Sequence, residues 1–462
     1  MDRLSALDAE FLHLEDGVTH MHIAGMSVFE GEPPTEEELQ ALLASKLHRI
    51  PRYRQRVRSV PFELGRPVWV DDPHFNLAYH VRSTALPPPG DDAAVERLMG
   101  RLMSQELDRN RPLWECWIVH GLPLGRWALL SKVHHCMVDG IAGVGLLEAL
   151  LDVEPAVELA EPRPWTPTPE PSGPVLVLDA WEGLLGDLVD EVVAIPHRLA
   201  SPVDAVRSAA ATGTGLLRVA RHLLTTPPNP LDGTIGPHRV WSHSSATIAD
   251  VSRIRGAFGG TLNDVVLAAV TRGYRDLLLA RGEDPAANVL RTLVPVSVRS
   301  EDARGVADNR VSAILFELPV DLDDPVGRLV AVQARMTELK ASHMAEATDA
   351  VASAADLAPP MLVGSITRLA MRALREHPQR SLNTVTTNVP GPQFPLYCLG
   401  RRMTEHRPFV PIGTGLRVGT AILSYDGRLF FGVTGDLDSV PDVGVVARGI
   451  EDGIAELLAR VD

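Results

Sequence analysis

His134-His135-Cys136-Met137-Val138-Asp139-Gly140 places two imidazoles, a carboxylate and a glycine within seven residues. Upstream, Arg126 to Val133 (RWALLSKV) alternates as a strand does; downstream, Ile141 to Leu151 (IAGVGLLEALL) reads as an apolar helix. The histidines thus stand where a strand gives way to a loop and a helix, a frequent place for reacting groups on a rigid scaffold. Histidine has an unperturbed pKa of about 6.5, so it takes up a proton and returns it within one turnover. Neighbouring residues on a strand face opposite ways, so only one of His134 and His135 is expected to face a substrate. A purely structural pair of histidines is the alternative. Metal binding is disfavoured, because the sequence has no HExxH, no CxxC and no second Cys/His cluster.

At 462 residues the chain exceeds what one core usually supports, so two domains are expected. Hydrophobic content of 45% with 22% charged residues is that of a soluble globular protein. A formal net charge of −15 argues against a nucleic-acid partner. Three cysteines, Cys116, Cys136 and Cys398, fit a reduced cytoplasmic setting. The start shows no signal-peptide pattern, and no apolar run reaches the ~18 residues of a spanning helix.

Prolines at 155, 162, 164, 167, 169, 171 and 174 rule out a helix interior and predict an extended linker, followed by helical sequence from Val175 to Leu224. Residues 1–153 are read as one domain, 154–236 as a Pro-rich linker with helices, and 237–462 as a second domain. Trp114 to Leu122 and Trp127 to His134 read as two strands joined by a hairpin at Pro123-Leu124-Gly125-Arg126. The spacing of Leu262, Val265, Val266, Ala269, Val270, Tyr274, Leu277 and Leu278 predicts a helix over 262–281, with Thr261 and Asp264 set as a near capping box.

HHxxxDG is the signature of the CoA-dependent acyltransferases related to chloramphenicol acetyltransferase and to peptide-synthetase condensation domains. Beyond it, the chain resembles the bacterial wax ester synthase/diacylglycerol acyltransferase family along nearly its whole length. The resemblance is carried by Leu4-Ser5-Ala6-Leu7-Asp8-Ala9-Glu10-Phe11, Pro112-Leu113-Trp114-Glu115, Asn263-Asp264, Pro295-Val296-Ser297-Val298-Arg299, Asn388-Val389-Pro390-Gly391-Pro392 and Leu423-Ser424-Tyr425-Asp426-Gly427. It implies an α/β fold of two chloramphenicol-acetyltransferase-like (condensation-domain-like) domains, with the active-site channel at their interface.

The resemblance also implies residue roles. The second histidine of the motif, His135, is the general base, and His134 packs or orients. Asp139 admits a triad reading, but the family implies that it pairs with an arginine and holds the loop; Arg299 is the candidate partner. Gly140 supplies backbone geometry. Asn263, at a helix N-terminus, is the first candidate for the oxyanion donor, against a simple capping role shared with Asp264. Trp114 and Glu115 are read as fixing the strand beside the catalytic loop. Asn388, Pro390 and Gly391 belong to a rigid turn that either shapes the substrate tunnel or serves only as a turn. Neither a P-loop nor a GxGxxG follows a strand, which disfavours nucleotide hydrolysis and hydride transfer.

Two basic stretches are candidates for CoA phosphates or a lipid surface, against ordinary solvated faces. Arg52, Arg54, Arg56 and Arg58 would share one face of a strand, and Arg368, Arg372 and Arg375 one face of a helix.

The expected activity is transfer of a long-chain acyl group from acyl-CoA to diacylglycerol, giving triacylglycerol, or to a fatty alcohol, giving a wax ester. Acyl-CoA is a substrate, and no cofactor or metal is expected. The expected location is cytoplasmic, in peripheral contact with the inner membrane or lipid droplets. The alternatives are an acyltransferase using a carrier-protein-bound donor or a polyketide alcohol, and a non-catalytic lipid-binding protein.

Overall fold

A computed structural model describes residues 2–137, 150–156, 159–182, 229–297, 311–341, 380, 382–413 and 415–461. The first half runs α1 (Ala6–Leu14), β1 (His22–Glu30), α2 (Glu36–Lys46), β2 (Gln55–Arg58), β3 (Val68–Asp71), α3 (Leu77–His80), β4 (Val81–Ala85), α4 (Asp92–Met103), β5 (Trp114–Leu122) and β6 (Arg126–His134). A helix, α5, covers 173–182. The second half runs β7 (Arg239–Thr247), α6 (Ile248–Phe258), α7 (Leu262–Ala280), β8 (Leu290–Ser297), β9 (Val311–Leu318), α8 (Pro325–Ala341), β10 (Thr384–Val389), β11 (Tyr397–Cys398), β12 (Arg401–Phe409), β13 (Val418–Tyr425), β14 (Arg428–Asp436) and α9 (Val443–Leu458).

The strands form two six-stranded mixed sheets, in the orders β11-β12-β1-β6-β5-β4 and β7-β14-β13-β10-β8-β9, beside a small β2–β3 hairpin. The α/β expectation is met. The first sheet is buried on both faces, so its strands alternate apolar residues of two separate clusters. Met26, Val28, Ala128 and Leu130 pack on α4, whereas Phe29, Trp127, Leu129 and Val133 pack toward α2. The second sheet packs on α6, α7 and α9 around Val266, Tyr274, Phe431 and Ile450.

The first sheet is not built from the first half alone. β12 pairs antiparallel with β1, Ala24 opposite Phe409 and Ser27 opposite His406, so a strand from far along the chain closes it. Where β14 of the second sheet crosses β12 of the first, Gly432 approaches the Pro408 carbonyl too closely for any Cβ.

The described part of the proline-rich stretch has no helix or strand over 159–172. It lies against the β2–β3 hairpin: the Thr168 N–H donates to Asp71 Oδ2 at 2.9 Å, and Arg54 sits over the Trp165 ring. Of the helical sequence expected from Val175 to Leu224, the described residues 175–182 are helical.

The alternating arginines depart from expectation. Arg52 and Arg54 lie in a 3-10 turn, Pro51–Arg54, and only Arg56 and Arg58 are on β2. Proline at the first helical position, with its fixed φ, favours the turn over a strand. Nor are they a free basic stripe: Arg52 pairs with Asp2, while Arg56 and Arg58 both pair with Glu170 of the linker. Arg368, Arg372 and Arg375 lie outside the described residues.

Candidate active site

β6 ends at His134, and His135–Met137 form a 3-10 turn, so the two histidines leave the sheet in different directions. The His135 N–H donates to the Met21 carbonyl at 2.8 Å, fixing the turn to the chain just ahead of β1. Phe11 of α1 stacks on the His135 ring at 4.0 Å between centroids and 26° between planes. Burial pushes the His135 pKa down to about 4, with its own backbone opposing and His134 adding to the fall. The imidazole is therefore neutral at pH 7, the form in which it accepts a proton.

His134 is fully buried and belongs to a different network. Its Nδ1 accepts the Cys136 N–H at 3.1 Å, which leaves the ring proton on Nε2, 3.5 Å from Glu15 Oε1. Directly across the sheet from His134 stands His22, whose Nε2 lies 3.2 Å from the same oxygen. Glu15 also accepts the Met21 N–H at 3.2 Å and the Arg109 Nε–H at 3.1 Å. Burial alone would raise its pKa, but the neighbouring His134 and His22 hold the carboxyl well below the usual carboxylate range. Burial takes His22 down to about 3, so it is a neutral donor and Arg109 carries the balancing charge. This network orients His134 and the strand end that carries His135.

Cys136 points the other way. It packs among Leu4, Ala9, Leu12, Trp69 and Leu113, and burial pushes its thiol well above the ordinary range. Trp114 is core: its Nε1–H donates to the Tyr53 carbonyl at 2.9 Å and its ring stacks on His80. Glu115 is buried between Arg82 at 3.1 Å and Lys132 at 3.5 Å.

In the second half, α7 begins with a capping box. Thr261 Oγ1 accepts the Asp264 N–H, and Asp264 Oδ2 accepts the Thr261 N–H at 2.7 Å. Asp264 is therefore committed to the helix start. Asn263, in the first turn, accepts a hydrogen bond on Oδ1 from Asn388 Nδ2 at 3.1 Å. Two residues singled out far apart in the sequence thus meet, and the Asn263 amide hydrogens have no partner among the described residues. Pro390 is exposed beside them. Gly391 donates its N–H to Ser424 Oγ at 3.1 Å, and a Cβ there would lie 2.2 Å from the Ser424 carbonyl, so only glycine fits.

Val389, next to Asn388, and Met137, two residues past His135, both pack against one hydrophobic cluster that draws residues from both halves; no hydrogen bond joins His135 to Asn263 or Asn388 among the described residues. Asp139, Gly140 and Arg299 lie outside the described residues. Phe11, Glu15, His22 and Arg109 were missed from the sequence; the run of charged and histidine residues from His13 to His22 is the signal that could have found Glu15 and His22.

The family model for the wax ester synthase/diacylglycerol acyltransferase catalytic domain matches residues 4–266, and the model for the WS/DGAT C-terminal domain matches 307–458. The chain belongs to this family. It is an acyltransferase of the wax ester synthase/diacylglycerol acyltransferase group. It is 40% identical to the probable diacylglycerol O-acyltransferase tgs1 of Mycobacterium tuberculosis, over 99% of this chain and 96% of that protein. Its fold matches the wax ester synthase/diacylglycerol acyltransferase of Marinobacter aquaeolei VT8 with a TM-score of 0.70 at 24% identity, both chains covered completely. The first condensation domain of the calcium-dependent antibiotic synthetase matches at 0.57 and 17% identity, covering 99% of this chain and 96% of that one. The two-domain acyltransferase fold expected from the sequence is the one found.

Proposed function

We propose that this family member transfers a long-chain acyl group from acyl-CoA to the hydroxyl of diacylglycerol, and to a fatty alcohol where one is supplied. The observation that carries the reading is His135: stacked on Phe11, tied to Met21 and held neutral by burial. The name of the mycobacterial relative supports diacylglycerol as acceptor.

His135 Nδ1 is enclosed, which leaves Nε2 to meet the acceptor hydroxyl. Nε2 takes the hydroxyl proton as the oxygen bonds to the thioester carbonyl carbon. Negative charge gathers on the carbonyl oxygen, and Asn263 is the donor proposed to meet it. Collapse of the tetrahedral intermediate breaks the C–S bond, and the protonated His135 returns its proton to the departing thiolate. No cofactor enters this route, and no side chain becomes acylated. Asn388, Pro390 and Gly391 form the wall of the acceptor path in this reading. Among the described residues no helix is long and apolar enough to cross a membrane; the acceptor is reached by peripheral contact from the cytoplasm with a membrane or lipid droplet.

The test offers labelled palmitoyl-CoA with diacylglycerol or hexadecanol to the purified protein and to His135→Ala. Ester made by the parent and lost in a folded variant supports the reading. Ester from neither acceptor overturns it.

A further inference from the structure

Four of the twelve exposed large hydrophobic side chains among the described residues fall on two adjoining segments. Phe62 is 84% exposed, and Val175, Leu178 and Trp181 are 45%, 63% and 49% exposed. The segments touch along their length: Pro61 lies against Gly173, and Gly65 against Ala180. α5 buries Leu176 and Ala180, four apart, against Val60, Val68 and Val70. Val175, Leu178 and Trp181, spaced by three, then form a stripe on its outward flank. An ordinary surface helix turns polar residues outward; this one is apolar on both sides.

Phe62 adds a second anomaly. Its φ is 59° and that of Glu63 is 54°, a left-handed pair that bulky side chains avoid. The strained backbone leaves the phenylalanine in water. Strain kept where it gains no packing in the folded chain points to use outside it.

A cavity of about 700 Å³ opens beside this surface. Val60, Glu63, Gly65 and Arg66 line it on this side, Leu12 and Leu113 on the inner side. Leu12 follows Phe11, the residue stacked on His135, and the Leu113 carbonyl accepts the His134 N–H. Arg66, which lines the cavity, makes no hydrogen bond or ion pair among the described residues.

We propose that Phe62 and the Val175–Leu178–Trp181 stripe are the surface by which this protein docks on a phospholipid-coated surface, turning the cavity mouth toward the lipid. An indole ring, with an apolar body and one polar N–H, suits the headgroup boundary, and a flanking arginine suits lipid phosphates. Preference for lipid over a protein partner rests on the lipid acceptor proposed above.

The test is flotation of the full chain with vesicles of phosphatidylcholine and phosphatidylglycerol, against Phe62→Ser/Leu178→Ser/Trp181→Ser. Each buried apolar side chain contributes enough that the triple variant should bind about tenfold or more weakly. Circular dichroism and turnover of a short, water-soluble alcohol should not change. Brominated-lipid quenching of the parent should fall in Trp181→Phe, a variant that preserves packing. Equal vesicle binding by parent and triple variant overturns the proposal, as does quenching unaltered in Trp181→Phe. A parent that is dimeric and becomes monomeric in the triple variant, without binding vesicles, assigns the face to a second copy and also overturns it. Vesicle binding without ester synthesis on any acceptor would sink the acyl-transfer reading and leave the docking surface standing.

Discussion

The ring of Phe11 lies 4.0 Å from that of His135, nearly parallel to it, so the first helix forms one wall of the imidazole's slot. His135→Ala should lower kcat about 10²–10⁴-fold while the fold stays intact, the range for losing an acid–base group. Phe11→Leu keeps the base but loosens its plane; a loss of about tenfold to a hundredfold is expected. Steady-state kinetics beside thermal melts check both, and a fully active His135→Ala removes the base assignment.

Glu15 carries its effect through folding as well as catalysis. Glu15→Ala leaves His22, His134 and Arg109 facing an empty position. Arg109 is half exposed, so the expected destabilisation is about 3 kcal/mol, the low end for breaking a buried pair. Urea unfolding measures it. Glu15→Gln, which keeps the shape, should lose less.

Asn263 and Asn388 are coupled by one hydrogen bond. If Asn263 meets the oxyanion, Asn263→Ala should lower kcat about 10²–10³-fold with little change in KM. Asn388→Ala should lower it less, and the double variant should match Asn263→Ala instead of adding to it. Additive losses would show that Asn388 acts on its own.

Acid should unfold this protein through its histidines. Burial depresses His80, His135 and His406 to about 4 and His22 to about 3, against 6.5 for an exposed ring. A depressed histidine pKa means that the unfolded chain binds the proton first. Stability should be full above about pH 6.5, fall from there to about 4, and lose little more to these groups below 3–4. Each group contributes on the order of 1–3 kcal/mol. Chemical denaturation at pH 7.5, 5.5 and 4.5 tests the slope; a flat profile would contradict the buried, neutral histidines.

Cys136 neighbours the base in sequence only. Its thiol lies in an apolar cluster, so Cys136→Ala should retain activity within about tenfold, with a modest loss of stability from the removed sulfur contacts. Abolished turnover in a folded Cys136→Ala would point to an acyl-enzyme.

Local features were legible because local physics sets them. The β5–β6 hairpin follows from alternation around Pro123-Leu124-Gly125, and α7 from a 3.6-residue period behind the Thr261 cap. The Arg52–Arg58 alternation misled because period two does not outweigh a proline at Pro51. Long-range partners were not legible. His22 joins the site only because the sheet register sets it opposite His134, and β12 joins the first sheet across most of the chain. Glu15 reads as one more surface acid until the fold closes over it.

The borrowed strand also constrains how the chain can be divided. A chain cut after residue 236 would strip β12 from Ala24–Phe29 of β1 and leave that edge bare, ready to pair with any passing strand. The second half alone would carry β12 with no sheet to enter. The first sheet is complete in neither half alone, so separating the halves should leave each with an unpaired strand edge.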